Sequence, residues 1–390
     1  MSATILPKAG PLHLCLVSNT AWAIHMYRLG LLRSLLENGV RVTIVAPYDK
    51  TVDAMVALGA EHAHVPLAAK SVNPLRDMFT LLALWRVYRA LKPDLIFHYT
   101  IKPNIYGSLA AKLAGIKSIA ITTGLGYVFT RRSGAAQIAK LLYRFAFRFP
   151  REIWFLNADD RATFIERGLL AHPERSVLLP GEGIDPAHFP LAPLPAGKPH
   201  FDFILVARLL WFKGIGEYVA AAQRIKQRYP HARFRVLGPA GVANPDAIPL
   251  DELQRWVKEG TIEWLGATDD VRPFIGAADC VVLPSYTEGV PRVLMEASAM
   301  GRPIVASSIP GNRDVVQDGV TGLLCKVRDV DQLTAAMTRM LRMSVEQRTQ
   351  MGLAGRRRIQ AEFDERTIVA RYFSTVQAHT GAALQLPSLP

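Results

Sequence analysis

Two glutamates eight positions apart, Glu288 and Glu296, frame the part of this sequence that is best suited to chemistry. Between and after them, Pro291 is typical of the first position of a helix, and Gly301 of the position just past its end. Positions eight apart on one helix are separated by roughly 12 Å, whereas the carboxylates of a retaining glycosidase are roughly 5 Å apart. We therefore expect two separate hydrogen-bonding tasks. The alternative is a solvated helix residue at Glu296 and an ordinary loop charge at Glu288.

The start of the same helix is suited to bind an anion. The backbone amides of Arg292 and Val293 would point outward unpaired, and the helix dipole would add to them, which suits a diphosphate. Two cations, Arg208 and Lys213, follow the first strand of the second half of the chain. They could neutralise a departing diphosphate, or they could be an ordinary loop pair. We expect them at the sheet edge of Glu288, because ligands of such sheets bind beyond the carboxyl ends of the strands.

The elements that would hold these residues alternate between short apolar runs and amphipathic helices. This pattern is typical of βαβ units on a parallel sheet, and a length of 390 residues suggests two domains. Residues 180–199 contain six prolines and little periodic pattern, which indicates a linker. We predict an α/β fold of two doubly wound Rossmann-like domains that face each other across a cleft. The first domain would span residues 1–190 and the second 191–365, with a C-terminal helix and tail over 366–390 that can return to the first domain.

Individual elements follow from the same pattern. A strand is predicted over His64–Leu67, a helix over Pro74–Leu91 and a continuous helix over Pro103–Ala114. The apolar surroundings of Cys15 and Cys280 indicate small core hydrophobes. The three cysteines form no disulfide framework, which favours a reducing cytosol.

Charge and hydropathy restrict the partners. The net charge of +13 favours anionic partners, although a soluble protein also keeps its net charge away from zero. The N-terminus has no signal-peptide pattern, and no run approaches the ~18 apolar residues of a transmembrane helix. We therefore expect any membrane contact to be peripheral. We expect no nucleic-acid partner, since the sequence carries no helix-turn-helix, finger or RNA-binding signature.

One segment of the first half is strongly basic. Between Asp94 and Glu152 there are nine Lys or Arg residues and no acidic residue. Some of these cations recur at helical spacing and alternate with leucines and phenylalanines, a pattern that suits an anionic membrane surface. The alternative is a core-facing helix with a solvated basic face. The residues predicted to face the membrane are Arg131, Arg132, Lys140, Arg144, Arg148 and Arg151.

Several motifs together resemble the family 4 retaining glycosyltransferases, which have the two-domain GT-B fold. In the first half, two motifs are similar to a bacterial subgroup that extends sugars on polyprenyl-diphosphate carriers. This subgroup includes N-acetylgalactosaminyltransferases that act on diphospho-undecaprenol-linked bacillosamine. The motifs of the second half are Arg208 with Lys213-Gly214, the segment from Glu288 to Glu296, Gly301-Arg-Pro-Ile-Val, and Asp318-Gly-Val-Thr-Gly-Leu. Those of the first half are the segments from His98 to Gly107 and from Thr123 to Phe129, followed by the segment from Leu179 to Asp185.

The resemblance implies a role for each matched residue. Arg208 and Lys213 would bind the diphosphate of a UDP-sugar, and Glu296 would bind its ribose. Glu288 would contact the donor sugar. The remaining donor-binding positions would be Gly289, Val290, Arg292, Val293 and Leu294. The lipid-linked glycan acceptor would meet the first domain at His98, Lys102, Asn104, Thr123, Gly124 and Tyr127.

The resemblance also implies the type of reaction. It predicts a retaining hexosyltransferase that needs no metal and no cofactor besides the UDP-sugar co-substrate, located on the inner face of the cytoplasmic membrane. An alternative is a sugar-nucleotide epimerase of the same fold. A nicotinamide-dependent dehydrogenase lacks support, because Ser18-Asn-Thr-Ala stands where a GxGxxG fingerprint would follow the first strand. A non-catalytic basic binding protein would leave the charged set without a purpose.

Three positions depart from, or add to, the family pattern. The loop after the first strand is not glycine-rich, and Thr122-Thr-Gly stands where many members have a histidine. His98 is the nearest substitute, although a histidine that closes a buried strand is more often structural. In Asp329-Val-Asp331, which precedes a helical pattern, one Asp is expected to cap the helix rather than bind a metal.

Overall fold

The computed structural model describes residues 10–67, 74–124, 134–195 and 197–386. They divide into two compact units. The first unit comprises Met1–Gly183 together with Glu365–Pro390, and the second comprises Ile184–Asp364. No helix among the described residues is long and apolar enough to cross a membrane.

The first unit is built on a seven-stranded parallel sheet with strand order β3-β2-β1-β4-β5-β6-β7. Every residue of β1, β4 and β5 is buried, because helices cover both faces of a parallel sheet. The strands are β1 His13–Val17, β2 Arg41–Ala46, β3 Glu61–His64, β4 Leu95–Tyr99, β5 Ser118–Thr122, β6 Glu152–Phe155 and β7 Ser176–Leu178.

Helices connect these strands. The first one begins after Thr20, whose hydroxyl accepts a hydrogen bond from the amide of Ala23 at 3.3 Å and so caps the helix. The helices are α1 Ala21–Glu37, α2 Thr51–Ala57, α3 Pro74–Leu91, α4 Ser108–Ala114, α5 Gly134–Ala146 and α6 Ala158–Glu166, with a π-helical turn over Pro103–Gly107 and a 3₁₀ turn over Pro173–Arg175.

The second unit contains a six-stranded parallel sheet with strand order β10-β9-β8-β11-β12-β13. Its strands are β8 Phe201–Val206, β9 Ala232–Leu237, β10 Glu263–Trp264, β11 Cys280–Leu283, β12 Ile304–Ser307 and β13 Gly322–Cys325. Its helices are α7 Ile215–Arg228, α8 Leu250–Lys258, α9 Arg272–Ala277, α10 Arg292–Ala299, α11 Pro310–Val315, α12 Val330–Arg342 and α13 Val345–Glu362, with a 3₁₀ turn over Trp211–Lys213.

The C-terminal helix, α14 Glu365–Thr380, belongs to the first unit. Its Tyr372 packs against Phe97 and Trp154, with ring centroids 4.9 and 4.8 Å away. The Tyr372 hydroxyl also accepts a hydrogen bond from the Tyr99 hydroxyl at 3.0 Å. Glu152 at the start of β6 accepts hydrogen bonds of 2.9 Å from both Arg371 and His379. Aromatic packing and buried polar contacts therefore attach α14 to the sheet of the first unit.

The sequence placed the end of the first domain after Pro190, whereas the two units divide after Gly183. The intervening residues belong to the second unit through backbone contacts. The amide of Ile184 donates to the carbonyl of Phe363 at 2.9 Å, and that of Ala192 to Met300 at 3.2 Å. This stretch has no helical or strand periodicity, so the sequence pattern alone did not indicate which unit holds it.

Cys15, Cys280 and Cys325 are free and buried. Burial raises the pKa of all three thiols, that of Cys325 to about 12. The prediction that Cys15 and Cys280 act as core hydrophobes is confirmed, since both are completely enclosed in strands.

Candidate functional site

Three loops of the second unit, which follow β8, β11 and β12, are tied together at one edge of the sheet. The amide of Tyr286, after β11, donates to the carbonyl of Phe212, after β8, at 2.8 Å. The hydroxyl of Ser307, at the end of β12, donates to the carbonyl of Ser285. Asn312 is completely buried and donates from Nδ2 to the Ser307 carbonyl at 2.9 Å. Because the three strands are neighbours in the sheet, these bonds fix their loops relative to one another.

Two glycines allow these loops to approach backbone to backbone. Gly214 has a φ of +74°, and a Cβ added there would lie 2.1 Å from the carbonyl oxygen of Pro284. At Gly311, an added Cβ would lie 1.5 Å from the carbonyl oxygen of Gly289. A larger residue at either position would push a backbone segment away, so both glycines are needed for the arrangement that holds Lys213 and Glu288.

Lys213 and Glu288 form an ion pair within this cluster of loops. The Lys213 Nζ lies 2.6 Å from Glu288 Oε1 and 2.9 Å from Oε2. Their side chains are only 16% and 11% exposed. Asp246 supports the 3₁₀ turn that carries Lys213, because its Oδ2 accepts from the amide of Phe212 at 2.9 Å. A cation and a carboxylate thus meet at one partly enclosed point, where they can bind an anionic group and a hydroxyl group side by side.

Tyr286 holds the loop that leads to Glu288, a role that no pattern in the sequence indicates. Its hydroxyl donates to Glu217 Oε1 at 2.6 Å, and its ring lies 4.3 Å from the guanidinium carbon of Arg328. Burial and the neighbouring carboxylate raise the pKa of the Tyr286 hydroxyl, so it stays protonated and keeps donating. Arg328 adds a further cation close to the site.

Helix α10 begins one residue later than predicted. Pro291 has extended backbone angles and is the N-cap, and Arg292 is the first helical residue. The amides of Gly289, Val290 and Val293 donate no hydrogen bond to any residue that the structure describes. They remain available to an anion, as N–H groups at a helix start commonly are.

Leu294, the last of the predicted donor-binding positions before Glu296, is bonded and packed within the second unit. Its amide donates to the carbonyl of Pro291 at 3.1 Å, and its side chain is completely buried. The first helical turn therefore already uses this N–H group. The amide of Leu294 is thus bonded within the first turn, and the donor-binding role of this residue stays a prediction.

Glu296 is enclosed but keeps hydrogen-bonding capacity. It is 7% exposed, and its Oε1 accepts from Arg292 Nε at 3.0 Å. Its other carboxylate oxygen receives no hydrogen bond from a described residue. Burial raises the pKa of Glu296, although the guanidinium of Arg292 acts in the opposite direction. A solvated helix residue, the alternative weighed from the sequence, does not match this burial.

Arg208 lies two residues past the end of β8, on the loop that continues to Lys213. Its side chain is exposed and forms no ion pair with any residue of the described part of the chain. Its position at the carboxyl edge of the sheet agrees with the sequence expectation. The structure thus places the predicted set of Arg208, Lys213, Glu288 and the start of α10 on neighbouring loops.

Three residues of the first unit that were predicted to bind the acceptor have internal partners instead. His98 is completely buried, its Nε2 lies 2.9 Å from the Tyr88 hydroxyl, and burial lowers its pKa to about 3. Asn104 bonds the backbone of Ile121 through both ends of its amide, at 2.9 and 3.2 Å. These contacts make His98 and Asn104 parts of the core, and they argue against contact with a glycan.

Lys102 is likewise occupied, since its Nζ lies 2.7 Å from Asp77 Oδ1 on α3. Thr123 and Gly124 follow β5 at the carboxyl edge of the sheet and are partly exposed, so they remain candidates for the acceptor. Tyr127, Arg131 and Arg132 lie outside the described residues.

Helix α5 carries the basic segment, and it shows both features weighed from the sequence. Tyr143 is buried against Phe147 and Phe164, with ring centroids 4.9 and 5.3 Å away. Opposite this core-facing side, the cations lie outward. Arg144, Arg148 and Arg151 are exposed, and Lys140 is partly exposed.

The expectation for Asp329 is confirmed. It is the N-cap of α12, and its Oδ1 accepts from the amide of Gln332 at 2.9 Å. Asp331 forms an ion pair with Arg224. Within the described residues there is no group of three or more His, Cys, Asp or Glu side chains placed to hold a metal ion.

Known proteins match both units. The family described as "Glycosyl transferase 4-like" matches residues 13–157, and the family described as "Glycosyl transferases group 1" matches residues 200–343. A Campylobacter jejuni relative, N,N'-diacetylbacillosaminyl-diphospho-undecaprenol alpha-1,3-N-acetylgalactosaminyltransferase, is 26% identical over 91% of this chain and 96% of its own length. An Escherichia coli relative, UDP-Gal:alpha-D-GlcNAc-diphosphoundecaprenol alpha-1,3-galactosyltransferase, is 26% identical over 70% of this chain and 73% of its own length.

Solved structures share the fold. A glycosyltransferase from Rickettsia africae superposes with a TM-score of 0.78 at 14% identity, covering 95% of this chain and 98% of its own. HepE from Anabaena, in complex with UDP, superposes with a TM-score of 0.75 at 18% identity, covering 94% of this chain and 100% of its own. The fold is GT-B, with two Rossmann-like units. With both of its units matched by glycosyltransferase families and the charged loops of the second unit in place, this chain belongs to the group 1 and family 4-like glycosyltransferases.

Proposed function

We propose that this glycosyltransferase moves a hexose or N-acetylhexosamine from a UDP-sugar to a polyprenyl-diphosphate-linked glycan, with retention of the anomeric configuration and without a metal ion. The observation that carries the proposal is the enclosed Lys213–Glu288 pair, together with the amides of Gly289, Val290 and Val293, which donate to no described residue. The names of the two relatives, both transferases to undecaprenol-linked sugars, support transfer over the epimerase alternative.

Each charged group of the site would bind a different part of the UDP-sugar. Arg208 and Lys213 would neutralise the diphosphate, and the amides of Val290 and Val293 would donate to its oxygens. Glu288 would accept from hydroxyls of the sugar, and Glu296 from the hydroxyls of the ribose through its unbonded oxygen. These two side chains carry a charge that hydroxyl groups recognise well, since hydrogen bonds to ionised acceptors are the stronger ones.

In the proposed reaction, the bond between the anomeric carbon and the diphosphate oxygen breaks, and a bond to the acceptor oxygen forms on the same face. The proton of the acceptor hydroxyl passes to the departing phosphate oxygen. The negative charge that grows on the diphosphate is stabilised by Arg208, Lys213 and the helix start, which is the main electrostatic task of the site. This route needs no protein nucleophile, and it matches a site that offers cations and amides rather than a carboxylate pair.

Two cations in this site make a metal ion unnecessary in our proposal, because they supply the positive charge that a divalent ion would otherwise bring. The proposal predicts that the transfer rate is unchanged when a chelator is added. It also predicts that the product keeps the anomeric configuration of the donor, which proton NMR of the glycan measures. An inverted product would contradict retention.

We propose that the protein works at the inner face of the cytoplasmic membrane, where its acceptor would lie. The exposed cations on α5 and in the turn after it support this, since Arg144 and Arg148 can contact anionic head groups, with about 1 kcal/mol from each cation near the surface. Neutralising both residues is expected to weaken binding to anionic vesicles, and added salt is expected to weaken binding by the wild-type protein. Binding by electrostatics alone would disappear at high ionic strength.

The central test is transfer from a panel of UDP-sugars to lipid-linked acceptors by the variants K213A and E288A. We expect each to lower turnover by about 100-fold or more, the scale for losing one transition-state contact. The matched control is R224A, which removes a cation from an exposed ion pair of the same unit. Near-normal rates for K213A and E288A would contradict the assignment, as would a rate for R224A that falls equally.

A further inference from the structure

The first three turns of α3 expose an apolar stripe. Leu75, Met78, Phe79 and Leu82 are 72%, 55%, 72% and 39% exposed. Their spacing places them on one face of the helix. Scattered apolar residues on a surface are ordinary, but a contiguous patch of large side chains marks an interaction site.

This stripe is not an unfinished part of the core. The opposite face of α3 already contributes Leu84 and Tyr88, which are completely buried. The Tyr88 hydroxyl is bonded to His98. The helix therefore has its apolar contact with the sheet, and the exposed stripe is additional to it.

A second stripe lies on α5. Ile138, Leu141 and Phe145 are 63%, 69% and 50% exposed, at positions that share one side of that helix. Both helices pack against the π-helical turn Pro103–Gly107. Tyr106, within this turn, packs into the apolar clusters of both helices and donates to Asp77 Oδ2 on α3 at 2.8 Å. The two stripes therefore lie on helices that pack against the same turn of the first unit.

Positive charge surrounds both stripes. On α3, Arg76, Arg86 and Arg89 are exposed, and the only acidic residue of the helix is Asp77, which is paired with Lys102. The exposed cations at the end of α5 are Arg144 on the helix and Arg148 two residues past it, and the Arg148 guanidinium carbon lies 5.9 Å from the Phe145 ring centroid. Apolar side chains beside cations are the composition of helices that lie in the interface of an anionic bilayer.

We infer that the exposed stripes of α3 and α5 form one membrane-inserting surface, the two-helix face, which buries Met78, Phe79, Leu82, Leu141 and Phe145 at the boundary between head groups and acyl chains. This inference rests on the proposed function in that a lipid-linked acceptor requires membrane contact. The inference goes beyond the proposed function, because membrane binding would then include the burial of apolar side chains of α3, in addition to the attraction between the cations and the anionic head groups. The cations around both stripes favour an anionic surface as the occupant of this face over a second copy of this chain, whose net charge is +13.

The test compares vesicle binding by the full-length wild-type protein and three variants. The first is the double variant M78S/F79S on α3. The second is the double variant R144Q/R148Q at the end of α5. The control is L113S, since Leu113 on α4 is 67% exposed and lies outside both stripes. Vesicles of phosphatidylglycerol and phosphatidylcholine in equal parts are the probe, used at low and at high ionic strength.

We expect wild-type binding to fall with salt but to keep a salt-resistant part. M78S/F79S should bind roughly tenfold or more weakly at low salt, because two apolar side chains no longer leave water, and it should lose the salt-resistant part. R144Q/R148Q should keep that part and show a smaller salt-sensitive one. L113S should bind like the wild type.

Three results would overturn the inference. These are wild-type binding that salt abolishes completely, M78S/F79S binding equal to that of L113S, and a dimer of the wild-type protein that M78S/F79S dissociates. Thermal unfolding with and without UDP accompanies every variant. A variant that keeps its midpoint and its UDP-induced rise is folded with an intact donor site. Loss of the UDP effect in the wild type would instead count against the proposed function.

Discussion

Replacing Gly214 by alanine should separate the two loops that hold Lys213 and Glu288. The added Cβ would lie 2.1 Å from the carbonyl oxygen of Pro284, whereas Cβ atoms essentially never approach a neighbour closer than 3.0 Å, so the backbone must move by about 0.9 Å. Pro284 begins the loop that carries Glu288, and Gly214 directly follows Lys213. The movement would therefore act directly on the distance between the two charged side chains.

The magnitude of the effect has two parts. Placing alanine at a φ of +74° costs about 1–2 kcal/mol of folding stability, and the steric conflict adds about 1–3 kcal/mol. Turnover should fall by about 100-fold, since a displacement of about 1 Å in a catalytic group can cost that much. Gly260 is the matched control, because it has a φ of +68° but no atom within 4 Å of an added Cβ. G260A should lose only the stability that the unfavourable φ costs, about 1–2 kcal/mol, and should keep its turnover.

The assay combines chemical unfolding with the transfer rate at saturating donor for both variants. The reasoning requires G214A to lose more stability than G260A and to lose turnover that G260A retains. Equal stability losses, or normal turnover in G214A, would show that the loops tolerate separation. In that case the backbone contact would not be what positions the pair.

Three further predictions concern other parts of the chain. G311A should unfold at a lower denaturant concentration than the wild type and bind UDP weakly, because its Cβ would lie 1.5 Å from the Gly289 carbonyl oxygen; normal UDP protection in thermal unfolding would contradict this. Because burial raises the pKa of Glu296, the affinity for UDP should weaken as the pH falls through that raised pKa. E296Q should bind UDP roughly ten- to hundredfold more weakly than the wild type, with an affinity that does not change over this pH range. Calorimetry measures both affinities. The pKa of His98 is lowered to about 3 in the folded protein, whereas a histidine in the unfolded chain has a pKa of about 6.5. Below about pH 6.5 the unfolded chain therefore binds a proton at His98 that the folded protein does not bind. His98 should then lower the free energy of unfolding by up to about 1.4 kcal/mol for each pH unit of acidification. H98L should lessen that slope in chemical unfolding between about pH 7 and pH 5 while turnover of the folded protein persists, whereas an unchanged slope would show that His98 does not titrate as proposed.

The regular elements were the most predictable part of the molecule. Continuous apolar runs such as that of β1 and the proline at the start of α3 gave strands and helices close to those observed. The predicted bounds were wrong where contacts with other elements, rather than the local hydrophobic pattern, decide where an element begins and ends. The strand predicted over His64–Leu67 is β3 Glu61–His64, because an edge strand with a half-polar sequence is chosen by its pairing with β2. The helix predicted over Pro103–Ala114 begins with a π-helical turn, which places Asn104 against the backbone of β5.

The site was predictable as a set of residues but not as a geometry. Parallel strands put their following loops at one edge, so the sequence could bring Lys213 and Glu288 to the same region. Their direct ion pair depends on backbone contacts made by Gly214 and Gly311, which no local pattern shows. His98 was ambiguous for a similar reason. Its partner Tyr88 lies on another element, and only the three-dimensional structure shows that the pair is sealed in the core.

The return of α14 to the first unit has a consequence for biogenesis. The second unit is one continuous stretch of chain inserted into the first, so α14 of the first unit is synthesised only after the second unit. A ribosome at roughly 5–20 residues per second completes the second unit before Tyr372 can cover Phe97 and Trp154. We expect Phe97 and Trp154 on the sheet of the first unit to stay exposed until α14 has been synthesised. A chain that terminates before α14 would keep that aromatic surface exposed. Chaperones and proteases could then recognise truncated chains and remove them.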